Sequence, residues 1–162
     1  MSKLDSFIRR MQAQRDCLNH AARLVADLPG AALEIGLGNG RTYDHLREIL
    51  PNREIFVFDR RMAAYASCTP PADHLFLGEV TDMLPLAAAR LGRKAVLVHL
   101  DIGTSDDEAN ARLMAAVGSL LKPLVAPGGV VVSNFTLSVD GWPAIEAPPG
   151  VKPGRYFLYR AG

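Results

Sequence analysis

The apolar positions of this 162-residue chain change their period along its length. Leu4, Met11, Leu18 and Val25 recur every seventh residue, and Phe7, Ala21 and Leu28 form a second row beside them. That spacing predicts one long amphipathic helix over residues 1–28, stopped by Pro29-Gly30. Gln14 falls in the seam and interrupts a strict coiled-coil stripe. Such a helix either covers a sheet or meets its copy in a homodimer. From residue 31 onward, short β-prone runs alternate with helical ones. Ala31–Ile35 reads as a buried strand. Residues 41–50 follow as a helix on Tyr43, Leu46, Ile49 and Leu50, ended by Pro51. Residues 54–58 form a second strand run closed by Asp59, and a short helix at 62–66 leads into Thr69-Pro70-Pro71.

The alternation continues to the end of the chain. Residues 74–77 read as a strand, 83–91 as a helix and Ala95–Leu100 as the most strand-like run of the first hundred residues. Ser105 with Glu108 has the spacing of a capping box and opens a helix on Leu113, Met114, Val117, Leu120, Leu121 and Leu124. Pro127-Gly128-Gly129 then makes a turn into a strand at 130–132. Residues 139–154 are rich in Pro and Gly and read as loop, and 155–160 close the chain as a strand. Strands alternating with helices of this length predict an α/β fold, a doubly wound and mostly parallel sheet with helices on both faces. The length suits one domain over residues 1–162. In such sheets ligands sit beyond the carboxyl ends of the strands, where the winding reverses.

Composition removes several classes. With 49% hydrophobic and 22% charged residues the chain can bury a core, which argues against disorder. A net charge of +1 gives no general attraction to nucleic acid or anionic lipid, and the basic residues Lys3, Arg9, Arg10, Arg15 and Arg23 read as a solvated helix face. Neither a secretory leader nor an apolar run long enough to span a bilayer is present, so the expectation is a cytoplasmic protein. Cys17 and Cys68 have neither metal-ligand nor disulfide-framework spacing and read as packing residues.

The candidate chemistry is concentrated in Glu34-Ile35-Gly36-Leu37-Gly38-Asn39-Gly40-Arg41-Thr42. A strand runs into three alternate glycines and then into a helix. Bare backbone there lets a ligand approach closely, and the helix start offers free N–H groups to an anionic oxygen. Asp59 ends the next strand, where a carboxylate can accept from both hydroxyls of a ribose. Gly78-Glu79-Val80 supplies another acid after the third strand, so Glu34, Asp59 and Glu79 close three successive strand units.

This ordered set resembles the class I S-adenosylmethionine-dependent methyltransferase superfamily, a Rossmann-like fold. The match is Glu34 followed by Gly36, Gly38 and Gly40, then Asp59, Glu79, and Ala126-Pro127-Gly128-Gly129-Val130 as the turn into the fifth strand. The resemblance implies S-adenosyl-L-methionine as cofactor. It implies contacts to the methionine part from Gly36, Leu37, Gly38, Asn39, Gly40 and Thr42, and Glu34 orienting the ammonium group. It further implies Asp59 on the ribose, Arg60 beside the adenine face, Glu79 and Val80 near the adenine edge, and Asp101 against cofactor or acceptor. The superfamily closes with a strand hairpin that here looks truncated, its sixth strand short or missing.

The acceptor side is less legible. His99-Leu100-Asp101-Ile102-Gly103-Thr104 lacks the Asn/Asp-Pro-Pro-aromatic motif that holds amine nucleophiles in many nucleobase and glutamine N-methyltransferases. Asp101 and Asn134 are similar in placement to the metal ligands of the catechol O-methyltransferase group. Ser133 stands where that group has its second Asp, so no metal is expected. Asp101 is the catalytic candidate, and it otherwise contacts the cofactor or acceptor or caps local backbone; His20, His45, His74 and His99 read as surface or structural. Trp142 and Tyr156 either line an acceptor pocket or pack on the sheet. The expectation is methyl transfer to a small-molecule acceptor, without nucleic-acid or membrane partners, by a homo-oligomer. Two alternatives stand beside it. One is a catalytically silent binding module. The other is an NAD-binding oxidoreductase, whose G-x-G-x-x-G fingerprint would need glycine where Arg41 stands.

Overall fold

The computed structural model describes residues 2–162. Helix α1 spans Lys3–Leu24. Ser2 caps it, accepting from Asp5 N at 3.0 Å while the Asp5 carboxylate accepts from Ser2 N at 3.1 Å. The helix ends before the expected residue 28, because at Val25 the backbone leaves helical geometry and residues 25–28 form turns ahead of Pro29. Only the second half of the apolar stripe is covered: Cys17, Leu18, Ala21 and Val25 are fully buried. Leu4, Phe7 and Ile8 remain 66%, 48% and 43% exposed, so the first turns of α1 extend beyond the layer that the rest of the helix covers.

The strands are β1 (Ala31–Ile35), β2 (Ile55–Asp59), β3 (Leu75–Leu77), β4 (Ala95–Leu100), β5 (Val125–Ser133), β6 (Ala144–Ile145) and β7 (Phe157–Arg160). They form one sheet in the order β3-β2-β1-β4-β5-β7-β6. The first five run parallel, and β7 is antiparallel to both β5 and β6. Helices α2 (Arg41–Ile49), α3 (Val80–Leu91) and α4 (Asp107–Leu121) complete the layers. The winding runs outward from β1 through β2 to β3, then returns to β4 on its other side. A crevice therefore opens at the carboxyl ends of β1 and β4, as the doubly wound pattern requires. Both faces are covered, which is why β1 and β4 are buried at every position. Leu33, Phe58, Val98 and Leu121 pack on one face, and Leu18, Leu46, Val57 and Val132 on the other.

Several boundaries differ from the sequence reading. No helix forms at 62–66; short 3₁₀ turns at Ala66–Cys68 and Ala72–His74 carry the chain between the prolines instead. Strand β3 begins at Leu75, one residue later than expected. Helix α3 starts three residues early and holds Pro85 in its second turn, where only one ladder bond is forgone. Asp106 rather than Ser105 caps α4, accepting from Ala109 N at 2.9 Å. Pro127-Gly128-Gly129 lies inside β5 rather than before it. Ala95 pairs with Val125 and Leu97 with Val130, so these residues form a bulge in a strand already paired to β4. The sixth strand has two residues.

Candidate functional site

A cleft of about 780 Å³ lies at the carboxyl ends of the strands. One wall is the loop between β1 and α2. Gly36 has φ +98°, and a Cβ there would sit 2.3 Å from the Asp101 carbonyl oxygen, so this glycine lets the loop pack on the end of β4. Gly38 has φ +52° and nothing within 4 Å of where a Cβ would stand, and it lines the cleft. The first glycine is required by packing, and the second leaves open space. Asp59 fixes the loop from the neighbouring strand: its Oδ2 accepts from Gly38 N at 2.9 Å and its Oδ1 from Arg61 N at 3.2 Å. Each carboxylate oxygen keeps a lone pair free for a further donor.

Leu37, Asn39, Thr42, Arg60, Glu79, Val80 and Asp101 also line the cleft. Glu79 sits at the N-cap of α3 but its side chain forms no capping bond, leaving the carboxylate free there. Two residues of the sequence reading lie elsewhere. Gly40 is the residue before α2 and packs on Cys68, away from the cleft wall. Glu34 lies within β1 rather than at its end and is fully buried. Its Oε1 accepts from the Thr42 hydroxyl and its Oε2 faces His99 Nδ1 at 2.8 Å. Both oxygens of the acid are therefore engaged in an internal network beneath the loop, and the residue does not line the cleft.

The network reaches further than any sequence spacing indicated. Gln14 of α1 donates through Nε2 to Asp101 Oδ2 at 2.7 Å and lies 3.3 Å from His99 Nε2. With the amide N–H thus fixed on Asp101, His99 receives at Nε2 and carries its proton at Nδ1, facing Glu34. Burial alone would lower the His99 pKa. The charge and hydrogen bond of Glu34, with Asp101 beyond, outweigh burial, and the net displacement is upward. Arg10 Nη2 adds bonds of 3.3 and 3.4 Å to the Asp101 oxygens. A continuous chain of polar side chains therefore runs Thr42–Glu34–His99–Gln14–Asp101–Arg10. His99, read from sequence as structural, and Gln14, read as a flaw in a stripe, are its connectors. One signal was available: a Gln in an apolar helix row and a His in an apolar strand each need a buried partner.

Beyond Asp101 the cleft is bounded by Phe7, Arg10, Met11 and Gln14 of α1, by Asn134 and Phe135 after β5, and by Arg155 and Tyr156 before β7. Trp142 belongs to the core and stays out of the cleft; Tyr156 is buried and also lines it. Burial, reinforced by the Asp101 charge and opposed by Arg10, pushes the Tyr156 hydroxyl up to about 12. A phenol raised in the folded state contributes stability that is complete below its ordinary value of 10.0 and is lost as pH rises through about 12. An alkaline absorbance titration should show a phenolate transition near about 12 that disappears in Tyr156→Phe. A transition unchanged in the variant would assign it to another tyrosine.

The family model described as S-adenosyl-L-methionine methyltransferase matches residues 1–161. An S-adenosyl-L-methionine methyl transferase from Silicibacter pomeroyi DSS-3 is 44% identical, with a TM-score of 0.93 over 100% of this chain and 99% of that one. A 16S rRNA adenine methyltransferase from Catenulisporales acidiphilia, solved with its cosubstrate SAM, is 16% identical with a TM-score of 0.54, covering 89% of this chain and 90% of that one. MycE of the mycinamycin biosynthetic pathway, in complex with Mg and SAH, is 17% identical with a TM-score of 0.54, over 85% of this chain and 43% of that one. The last two share the fold alone. No protein of curated function matches the chain significantly.

Proposed function

The chain belongs to the S-adenosyl-L-methionine methyltransferase family, and from that premise we propose that it methylates a small molecule held in the half of the cleft bounded by α1, β4, β5 and β7. The enzyme uses S-adenosyl-L-methionine, and its doubly wound sheet is the Rossmann-like fold of such methyltransferases. The residues fit the cofactor. Gly38 offers bare backbone with open space before it, Asp59 keeps lone pairs for two hydroxyls, and the Glu79 carboxylate makes no capping bond to α3. In this reading Gly36, Leu37, Gly38, Asn39 and Thr42 hold the methionine end, Asp59 the ribose, and Arg60, Glu79 and Val80 the adenine. Glu34 and Gly40 act from behind, shaping the loop.

The bound cofactor supplies a methyl group already activated by the sulfonium. What remains for the protein is to orient a nucleophile, exclude water and receive a proton where the nucleophile carries one. Asp101 suits that last task. Gln14 and Arg10 hold its carboxylate at the junction of the two halves of the cleft, with the side chain 17% exposed.

One observation carries the small-molecule reading. The first half of α1 leaves the sheet and closes the acceptor half with Phe7, Arg10, Met11 and Gln14, and the cleft as a whole falls within the roughly 300–1,000 Å³ of small-molecule sites. Incubation of the enzyme with methyl-labelled cofactor and a cell extract should place label in the low-molecular-mass fraction. Label confined to RNA or protein would overturn the reading. A nucleic-acid or membrane partner has no part in it. No helix among the described residues is long and apolar enough to cross a membrane.

A homodimer goes with this proposal. Leu4 and Ile8 lie one helical turn apart on an exposed face of α1, and a second copy of that face is the occupant proposed for it. Light scattering at high micromolar concentration should give twice the 17.5 kDa chain mass, falling toward the monomer in a Leu4→Lys, Ile8→Lys double variant. A monomeric mass for the unaltered protein would end the idea.

A further inference from the structure

We propose that the acceptor is a small organic acid with an apolar body, its carboxylate held by Arg155 and the Tyr156 hydroxyl and a second polar group on the same molecule donating to Asn134 Oδ1. The inference rests on the assignment of the glycine-loop half of the cleft to the cofactor, and it concerns the half across from it. The sheet order separates the two. Residues after β1, β2 and β3 form one side, and residues after β4 and β5 and before β7, with α1, form the other.

Charge on the acceptor side is unbalanced. Its titratable lining groups are Arg10, Asp101, Arg155 and Tyr156. Asp101 is engaged by Gln14 at 2.7 Å and by Arg10 at 3.3 Å, so the one carboxylate present is matched to the one cation beside it. Arg155 is left over: among the described residues its guanidinium has neither a salt bridge nor a hydrogen bond. Arg155 as a residue is partly buried, and a guanidinium with five free donors is matched in geometry by a carboxylate.

The same wall contains two buried polar atoms without partners, the Tyr156 hydroxyl and Asn134 Oδ1. Tyr156 is 4% exposed, and the Arg10 guanidinium faces its oxygen from the donor side, which leaves the hydroxyl proton without an acceptor. Its proton is retained far above neutrality, so the hydroxyl is available as a donor. Asn134 donates through Nδ2 to the Ile102 carbonyl at 3.0 Å, which fixes the amide and leaves Oδ1 as an acceptor only. Buried polar atoms in folded proteins nearly always find partners, and these two belong to residues that line a cleft large enough for a second molecule beside the cofactor. Phe7, Met11, Leu113 and Phe135 supply the apolar surface between them. One unpaired cation, one orphan donor and one orphan acceptor on an apolar wall describe an acid carrying a further O–H or N–H.

The test uses 4-hydroxybenzoate and 4-hydroxybenzamide as probes, titrated into the full chain saturated with S-adenosylhomocysteine. These differ chiefly in the charge of one group. The carboxylate should bind about tenfold or more tightly than the amide, a preference of the size charge-assisted bonds provide. In Arg155→Gln that preference should collapse while the affinity for S-adenosylhomocysteine stays unchanged. Tyr156→Phe should lower it partially. Equal binding of the two probes, no binding of either at millimolar concentration, or a preference that survives Arg155→Gln would overturn the proposal. A loss of S-adenosylhomocysteine affinity in Arg155→Gln would overturn it too, by assigning this arginine to the cofactor. Failure of the unaltered protein to bind S-adenosylhomocysteine at all would instead strike the cofactor assignment itself, a result distinct from the others.

Discussion

Gly38→Val is expected to leave a folded protein that no longer binds S-adenosylmethionine or S-adenosylhomocysteine, with affinity reduced more than about a hundredfold. Two features of this position produce the split. Its φ of +52° is in the left-handed region, where a β-branched residue is strained by about 1–2 kcal/mol. For a chain of 162 residues such a cost lowers the melting temperature by roughly 2–8 °C, which the fold should survive. The space in front of Gly38 is empty, so the added side chain meets no protein atom within 4 Å at its Cβ and enters the volume a ligand would use. Calorimetric titration beside a thermal melt measures both effects. Retained affinity with an unchanged melt would show that the loop is not the cradle. Gly36 behaves oppositely: a side chain there meets the Asp101 carbonyl at 2.3 Å, so the damage would fall on folding first.

Glu34→Ala should be the most destabilising single change at this edge of the sheet. The carboxylate is fully buried and serves two donors, the Thr42 hydroxyl and His99 Nδ1. Truncation leaves both unpaired and opens a cavity between β1 and β4. Removing one member of such a buried pair costs about 3–5 kcal/mol. Glu34→Gln keeps the volume and one acceptor and should cost clearly less. Urea unfolding of the three proteins provides the comparison, and a loss under about 1 kcal/mol for the alanine variant would contradict the network's importance.

The strand–helix alternation was legible because each parallel strand is a short apolar run and each helix carries its own stripe. Val96, Leu97, Val98 and Leu100 are all buried, as their composition suggests. The glycine loop and Asp59 were legible for a local reason: their chemistry is confined to a strand end and the turn after it. Gln14, His99 and Arg10 were not, because their partners stand 85, 65 and 91 residues away, and they meet only through the packing of α1 over β4 and the β1–β4 pairing that sets Glu34 beside His99. Asp106 displaced Ser105 as the cap of α4 for a subtler reason, since both residue types suit the position and only the backbone decides. The bulge at Gly128 was hidden in the same way. Pro-Gly-Gly predicts a turn equally well inside a strand or before it, and the pairing of Ala95 with Val125 places it inside.

A crystal structure with S-adenosylhomocysteine tests the division of the cleft into a cofactor half and an acceptor half. The ribose hydroxyls should lie on the Asp59 carboxylate, the amino-acid end against Gly36 to Asn39, and the sulfur toward Asp101, with Arg155 and Tyr156 left free. Product bound with its ribose away from Asp59, or with its carboxylate on Arg155, would contradict it.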